Sequence, residues 1–433
     1  MKKLKLIVSL LMILVFITGC SSGSSVFDEP TNGPNDSPSN KMVNVGIDNA
    51  DSLFITPGSS IASQSKIMGS NNDDIQDSNR LFKITDDGYI QEVTYYNEKG
   101  EEIEVIENQP TAVYNAGKDY VFVGFGSDES NINEGYLVSK ANGSVYDISD
   151  AGFPIKPTNR FRNEEIIQED DDGNLYYITD IGSGYSGLVI KGVVKLNSTN
   201  MTGTMITPED HAVDYFTVDG YGNVAYHARD DNSPHDRIQR IVKTDGGMEF
   251  LESREFWLGL DNKINYINDD KEIIKVKFDE SNNLEEEKYG LMPDSFYNFG
   301  FDELIIKLED RIIITRSSSG KVFEVYNNSG EPREIDLGYS EITQVGSSNN
   351  FYYVYGDNGK LSKVNPENDS MTNIFDGEFD IYKLQVSSND IITFNAYRME
   401  DGATVLGKVN NNAELNIIND TLNQEVISLE RIK

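Results

Sequence analysis

The residues that could do chemistry fall into three groups. Asp170-Asp171-Asp172-Gly173-Asn174, Asp230-Asp231-Asn232 and Asp86-Asp87-Gly88 each gather several side-chain oxygens, the hard donors that Ca²⁺ takes. None has the spacing of an EF-hand, which needs a Glu at the twelfth position of its loop. The second group is the three histidines, His211, His227 and His235. His227 and His235 flank Arg229, Asp230, Asp231 and Asp236, a composition that suits an acid/base pair or a metal site, although the spacing matches no metal signature. The third group is the supply of 72 Asp and Glu side chains, any facing pair of which could cleave a glycosidic bond. No nucleophile elbow, zinc-protease helix, phosphate-binding loop or dinucleotide fingerprint occurs.

The elements that must position these residues read as strands. The acidic clusters fall where hairpin turns are expected, and Asp and Asn are ordinary turn residues. The turn reading is preferred, so no cofactor is expected, with Ca²⁺ as the alternative. Amphipathic helical spacing is almost absent, whereas short β-branched and aromatic runs alternate with polar turns. The most regular run is strongly apolar: Tyr120-Val121-Phe122-Val123, Leu175-Tyr176-Tyr177-Ile178, Val224-Ala225-Tyr226, Ile264-Asn265-Tyr266-Ile267, Ile312-Ile313-Ile314, Phe351-Tyr352-Tyr353-Val354 and Ile391-Ile392-Thr393-Phe394. Their starts lie about 40 to 56 residues apart, near the period of four-stranded propeller blades.

The fold class is therefore all-β, a β-propeller of seven or eight four-stranded blades, with eight favoured. Seven units run from about Pro110 to Thr421. The eighth would use Arg80–Thr85 and Tyr89–Tyr95 as outer strands and Met42 to Ile55 as inner strands, joined by the tail Glu425–Leu429. Pairing the two termini would close the ring and remove free sheet edges. A pair of β-sandwiches is the competing architecture. Most of the 23 Tyr and 20 Phe are expected between blades, where flat sheets bury them face to face.

The formal net charge of −35 repels phosphate backbones and anionic lipids, which excludes nucleic acid as a partner. The amino terminus has its own pattern. Lys2, Lys3 and Lys5 precede an apolar run from Leu6 to Ile17, which is too short to span a membrane and fits a secretory leader. The run ends in Ile17-Thr18-Gly19-Cys20, a tetrapeptide that resembles the lipobox of bacterial prolipoproteins.

That resemblance implies recognition of Ile17, Thr18 and Gly19 by a signal peptidase, cleavage before Cys20, and a diacylglycerol on the Cys20 thiol. It also accounts for a lone cysteine in an oxidising compartment, and removes that thiol as a nucleophile. Ser21 and Ser22 resemble the outer-membrane pattern of such proteins. The expected organisation is leader 1–19, a flexible Ser-, Gly- and Pro-rich tether 20–41, and a propeller over 42–433. The expected location is the cell membrane or outer membrane, anchored by lipid and facing the periplasm or exterior.

The phrase Asp171-Asp172-Gly173-Asn174-Leu175-Tyr176-Tyr177-Ile178 is similar to the Asp-Gly-x-Leu-Tyr-Ala-Leu pattern of quinoprotein-like repeats. That family includes the scaffolding propeller lipoprotein of the outer-membrane β-barrel assembly machinery. With a single tryptophan, Trp257, the chain lacks the blade tryptophans of those repeats, so the resemblance implies architecture and no functional residue. The leading expectation is a non-enzymatic binding or scaffolding module for an envelope protein or glycan. The alternatives are a carbohydrate- or peptide-acting enzyme with carboxylates in the propeller funnel, and a coat protein without a specific ligand.

Overall fold

Alternation of β-branched and aromatic residues with Asn-, Asp- and Gly-rich turns produces strands of two to ten residues joined mostly by hairpins. The computed structural model describes residues 42–431 apart from the stretch 58–78 and other internal segments of one to ten residues. These lie in the unit Asn40–Lys433.

Among the described residues eight four-stranded antiparallel sheets form, and the fold is that of a β-propeller. Sheet 1 has the order Ser428–Arg431, Ala50–Pro57, Asn79–Thr85, Ile90–Glu92. Seven more follow in chain order, each with its four strands in sequence. Sheet 2 runs from Gln109–Ala116 to Val145–Asp147, sheet 3 from Gln168–Glu169 to Gly203–Met205, and sheet 4 from His211–Val218 to Met248–Phe250. Sheet 5 runs from Glu255–Leu258 to Leu284–Leu291, sheet 6 from Glu303–Lys307 to Arg333–Asp336, sheet 7 from Ile342–Ser347 to Ser370–Asp376, and sheet 8 from Phe379–Val386 to Leu415–Leu422.

The hydrophobic core is divided among the gaps between sheets. Tyr177 and Leu175 of sheet 3 pack with Phe122 and Leu137 of sheet 2. Trp257 and Ile273 of sheet 5 pack with Ile314 and Val325 of sheet 6. Phe54 and Phe82 of sheet 1 pack with Leu406 of sheet 8, which returns the packing to its start. Second strands face a neighbour on both sides, so Ile264–Ile267 and Tyr352–Gly356 are buried along their whole length. Each large apolar side chain buried there contributes roughly 1.5–3 kcal/mol.

First strands of neighbouring sheets lie side by side without forming a continuous ladder, so glutamines reach across. Gln168 donates to Phe216 O at 3.1 Å and accepts from Val218 N at 2.9 Å. Gln344 donates to Ile381 O at 2.7 Å, and Gln385 to Leu429 O at 3.2 Å. These amides satisfy backbone groups that would otherwise be buried without partners. A β-bulge recurs near the start of the first strand in sheets 2, 4, 7 and 8, with Thr111, Asp214, Thr343 and Tyr382 as the extra residues.

The strands expected within Met42–Ile55 separate. Ala50–Pro57 joins sheet 1 as its second strand, and the inner position belongs to the tail, Ser428–Arg431. Met42–Val45 instead pairs with Tyr95–Asn97, which pairs with Glu102–Ile103, in a separate three-stranded sheet. That sheet caps the sheet 1–sheet 2 core: Met42, Val45, Tyr95 and Ile103 pack with Leu81, Val138 and Val145. Val45 N donates to Gly143 O at 2.8 Å. Gly143 has φ +71°, and a Cβ there would lie 2.1 Å from Val45 O, so glycine is what lets the two backbones meet.

Candidate functional site

The acidic loop 170–174 is a hairpin staple. Asp170 Oδ1 accepts from Asp172 N at 3.1 Å and Asn174 N at 2.8 Å, while Oδ2 accepts from Asn174 Nδ2 and the Tyr176 hydroxyl, both at 2.9 Å. Lys195 Nζ stands 3.5 Å from the same oxygen. Asp219 repeats the arrangement with Tyr221 N, Asn223 N and Asn223 Nδ2. Burial raises the Asp219 carboxyl despite the hydrogen bonds from Asn223 that favour its charge.

The turns of three sheets are also stitched together. Asp171 N donates to Gly220 O at 2.8 Å, Gly220 N to Asn262 O at 2.9 Å, and Asn262 Nδ2 to Asp171 Oδ1 at 3.0 Å. These oxygens are therefore engaged by the turns, and turn chemistry accounts for the cluster. Among the described residues no group of three His, Cys, Asp or Glu is placed to hold a metal. Residues 86–88 and 231–232 and the side chain of Asp230 lie outside the described residues, as do Ile17, Thr18, Gly19 and Cys20.

The histidines separate. His211 Nδ1 lies 2.7 Å from the Tyr226 hydroxyl, and the side chain of His235 falls outside the described residues. His227 comes together with Arg229, as the sequence brings them near, and with Asp214, which the sequence reading missed. Asp214 Oδ2 is 3.3 Å from His227 Nδ1, and Arg229 Nη2 donates to Asp214 Oδ1 at 2.9 Å. The 3.3 Å approach to His227 lacks hydrogen-bond alignment, so the pair is a close contact more than a directed bond. Burial works against the ionised Asp214, but His227 and Arg229 outweigh it and hold the carboxyl below its usual value. The His227 ring stacks on Tyr215 at 5.2 Å, and Tyr215 meets Phe256 of sheet 5 at 4.8 Å. The bulge is what turns Asp214 toward the His227 side. Its signal was in Ala212-Val213-Asp214-Tyr215-Phe216, where a single acid interrupts an apolar alternation.

Antiparallel order places two kinds of connection at opposite ends of the ring. At one end lie the tight, cross-linked first turns, such as 170–174 and 219–223. At the other lie the bulges and the two longest connections, between Ala50–Pro57 and Asn79–Thr85 and between Val145–Asp147 and Gln168–Glu169. On sheet 8 this end exposes Tyr382 (41 %) and Met399 (64 %). The Tyr382 and Tyr397 rings are 4.8 Å apart and nearly perpendicular, at 77°.

No family model matches the chain, and no curated protein matches its sequence. The solved structures it resembles include propeller proteins. Dihydro-heme d1 dehydrogenase NirN in complex with DHE aligns with TM-score 0.50 at 8% identity, over 89% of this chain and 76% of that one. Apo AztD from Citrobacter koseri aligns with TM-score 0.46 at 9% identity, over 78% and 94%. The Dos1 propeller aligns with TM-score 0.44 at 9% identity, over 82% and 89%. At such identities the likeness concerns the fold.

Proposed function

We propose that the chain is a lipid-anchored extracytoplasmic lipoprotein, attached through Cys20 and followed by a 20–41 tether, whose eight-bladed propeller is a non-enzymatic binding or scaffolding module for an envelope protein or glycan. The observation that carries the binding reading is the inequality of the two ends. One is closed by turns hydrogen-bonded to each other, while the other carries the bulges and the longest connection, the one between Ala50–Pro57 and Asn79–Thr85. Loops displayed on a rigid scaffold are where recognition concentrates. The anchor reading rests on Ile17-Thr18-Gly19-Cys20, and two or three acyl chains hold a protein far more firmly than one.

In-cell crosslinking followed by identification of copurifying molecules tests the proposal, with Cys20→Ala as the unanchored control. Capture of one envelope component by the anchored form alone is the expected result. Failure to capture any discrete component from the anchored form refutes it. The second reading, an enzyme acting on carbohydrate or peptide, draws on the Asp214–His227 contact as an acid/base pair. It expects Asp214→Asn to abolish a hydrolytic activity that the unaltered protein displays on envelope polysaccharide or peptide.

A further inference from the structure

We propose that the Tyr382–Tyr397 corner on sheet 8 seats a lysine or arginine side chain from a basic segment of a protein partner. This names the partner chemistry of the binding reading above and rests on it.

Aromatic faces in this protein repeatedly hold cations. Lys363 Nζ lies 3.8 Å from the Phe351 centroid, the Arg240 guanidinium 4.5 Å from Phe250, Lys360 5.0 Å from Tyr339, Lys275 5.2 Å from Tyr289 and Lys195 5.4 Å from Tyr176. Among the described residues no lysine or arginine lies over Tyr382 or Tyr397. Nearby cations are engaged: Arg398 grips Asp401 through Nε at 3.0 Å and Nη2 at 2.7 Å, and Lys383 stands 3.6 Å from Glu430. Perpendicular rings 4.8 Å apart form a concave corner, in which a cation can approach both within the ~6 Å reach of this attraction.

The corner exists because Tyr382 is the extra residue of a bulge, which turns it toward Tyr397 on the neighbouring strand. Acidic groups surround it. Asp380 pairs in register with Tyr397, and Met399 N donates to Glu378 O at 2.9 Å, which sets Glu378 beside Met399 and Glu400. All three acids are exposed. Met399, two residues beyond Tyr397, is exposed, and its polarisable side chain is of a kind that suits the methylene stem of a long basic residue. A protein of net charge −35 draws cationic partners toward this rim, and the rings add a local preference that diffuse charge lacks.

Fluorescein-labelled hexalysine, with hexaglutamate as control, is titrated against the purified full-length protein and followed by fluorescence anisotropy at 300 mM NaCl, where long-range attraction is largely screened. The unaltered protein should bind hexalysine and not hexaglutamate. Tyr382→Ala/Tyr397→Ala should weaken hexalysine binding about fivefold or more, whereas Tyr382→Phe/Tyr397→Phe keeps both ring faces and should retain it. Tyr382→Ala alone, at an exposed position, should weaken binding about two- to threefold and keeps the test decisive if the double variant unfolds. Equal binding by the alanine and unaltered proteins, equal losses in the alanine and phenylalanine variants, or no hexalysine binding by the unaltered protein overturns the inference. A discrete component captured by crosslinking alongside any of these results leaves the binding reading standing without this site.

Discussion

Replacement of Glu324 by glutamine tests how sheets 6 and 7 are held together. Glu324 is fully buried on the third strand of sheet 6, and Arg311 and Arg333 converge on it from the strands on either side. Arg333 donates to Glu324 Oε2 through Nε at 3.1 Å and through Nη2. Arg333 also grips Asp369 at 2.6 and 2.9 Å, and Arg311, itself buried, donates to Pro366 O at 2.8 Å and Glu367 at 2.9 Å. Those partners, Pro366, Glu367 and Asp369, all belong to the turn between the third and fourth strands of sheet 7, so one carboxylate organises cations that clamp two sheets.

Glutamine keeps the shape and removes the charge, so Arg333 loses one of its two carboxylates and buried Arg311 is left with Glu367 and Pro366 O. Removing one partner of a buried ion pair costs about 3–5 kcal/mol, and the bonds that remain to Pro366, Glu367 and Asp369 place this variant near about 3 kcal/mol. For a chain of this size that corresponds to roughly 4 °C in the thermal midpoint, followed by near-UV circular dichroism. Glu334→Gln, which removes the exposed partner of Lys321, should leave the midpoint unchanged. A Glu324→Gln midpoint within 1 °C of the parent would show that the cluster contributes no net stability and refute the reasoning.

Gly143→Ala forces a Cβ against Val45 O at a left-handed backbone position, so Met42–Val45 should exchange its amide hydrogens at least tenfold faster while sheets 3 to 7 keep their protection. Gln385→Leu removes the amide that reaches from sheet 8 to Leu429 O, and should cost about 1–2 kcal/mol with the earliest denaturant-induced exposure in Ser428–Arg431. Asp214 is depressed in the folded protein, so its contribution is present above the unfolded carboxylate value and lost as pH falls through the folded one. Asp214→Asn should therefore reduce stability at pH 7 and flatten the acid limb of the stability curve; an unchanged acid limb would contradict the assignment.

Periodic signals were legible in the sequence and pairings across the ring were not. Strings such as Phe351-Tyr352-Tyr353-Val354 and Ile264-Asn265-Tyr266-Ile267 mark second strands because burial on both faces demands an unbroken apolar run. The turn role of Asp170 and Asn174 was legible for the same local reason. Met42–Val45 was placed wrongly because its partner, Tyr95–Asn97, is some fifty residues away and strand pairing leaves no mark on either segment alone. Asp214 was missed because a bulge reverses the side-chain alternation from which facing residues are inferred. The glutamine bridges were hidden because their acceptors are backbone carbonyls of the next sheet, which no residue type announces.

The first sheet takes its innermost strand from the far end of the chain, and this bears on biosynthesis. Ala50–Pro57 and Asn79–Thr85 are made early, yet their partner Ser428–Arg431 is polymerised more than 300 residues later. Until then the nascent chain carries seven successive hairpin arrays and an unfilled edge on Ala50–Pro57, which could pair with the wrong strand. Joining segments nearly the whole chain apart carries a loop-closure entropy that grows only logarithmically with length, so the delay comes from synthesis more than from thermodynamics. Closure of the circle thus waits on a single late event, and a ribosome that stops before Ser428 leaves a molecule with every other sheet present and its circle open.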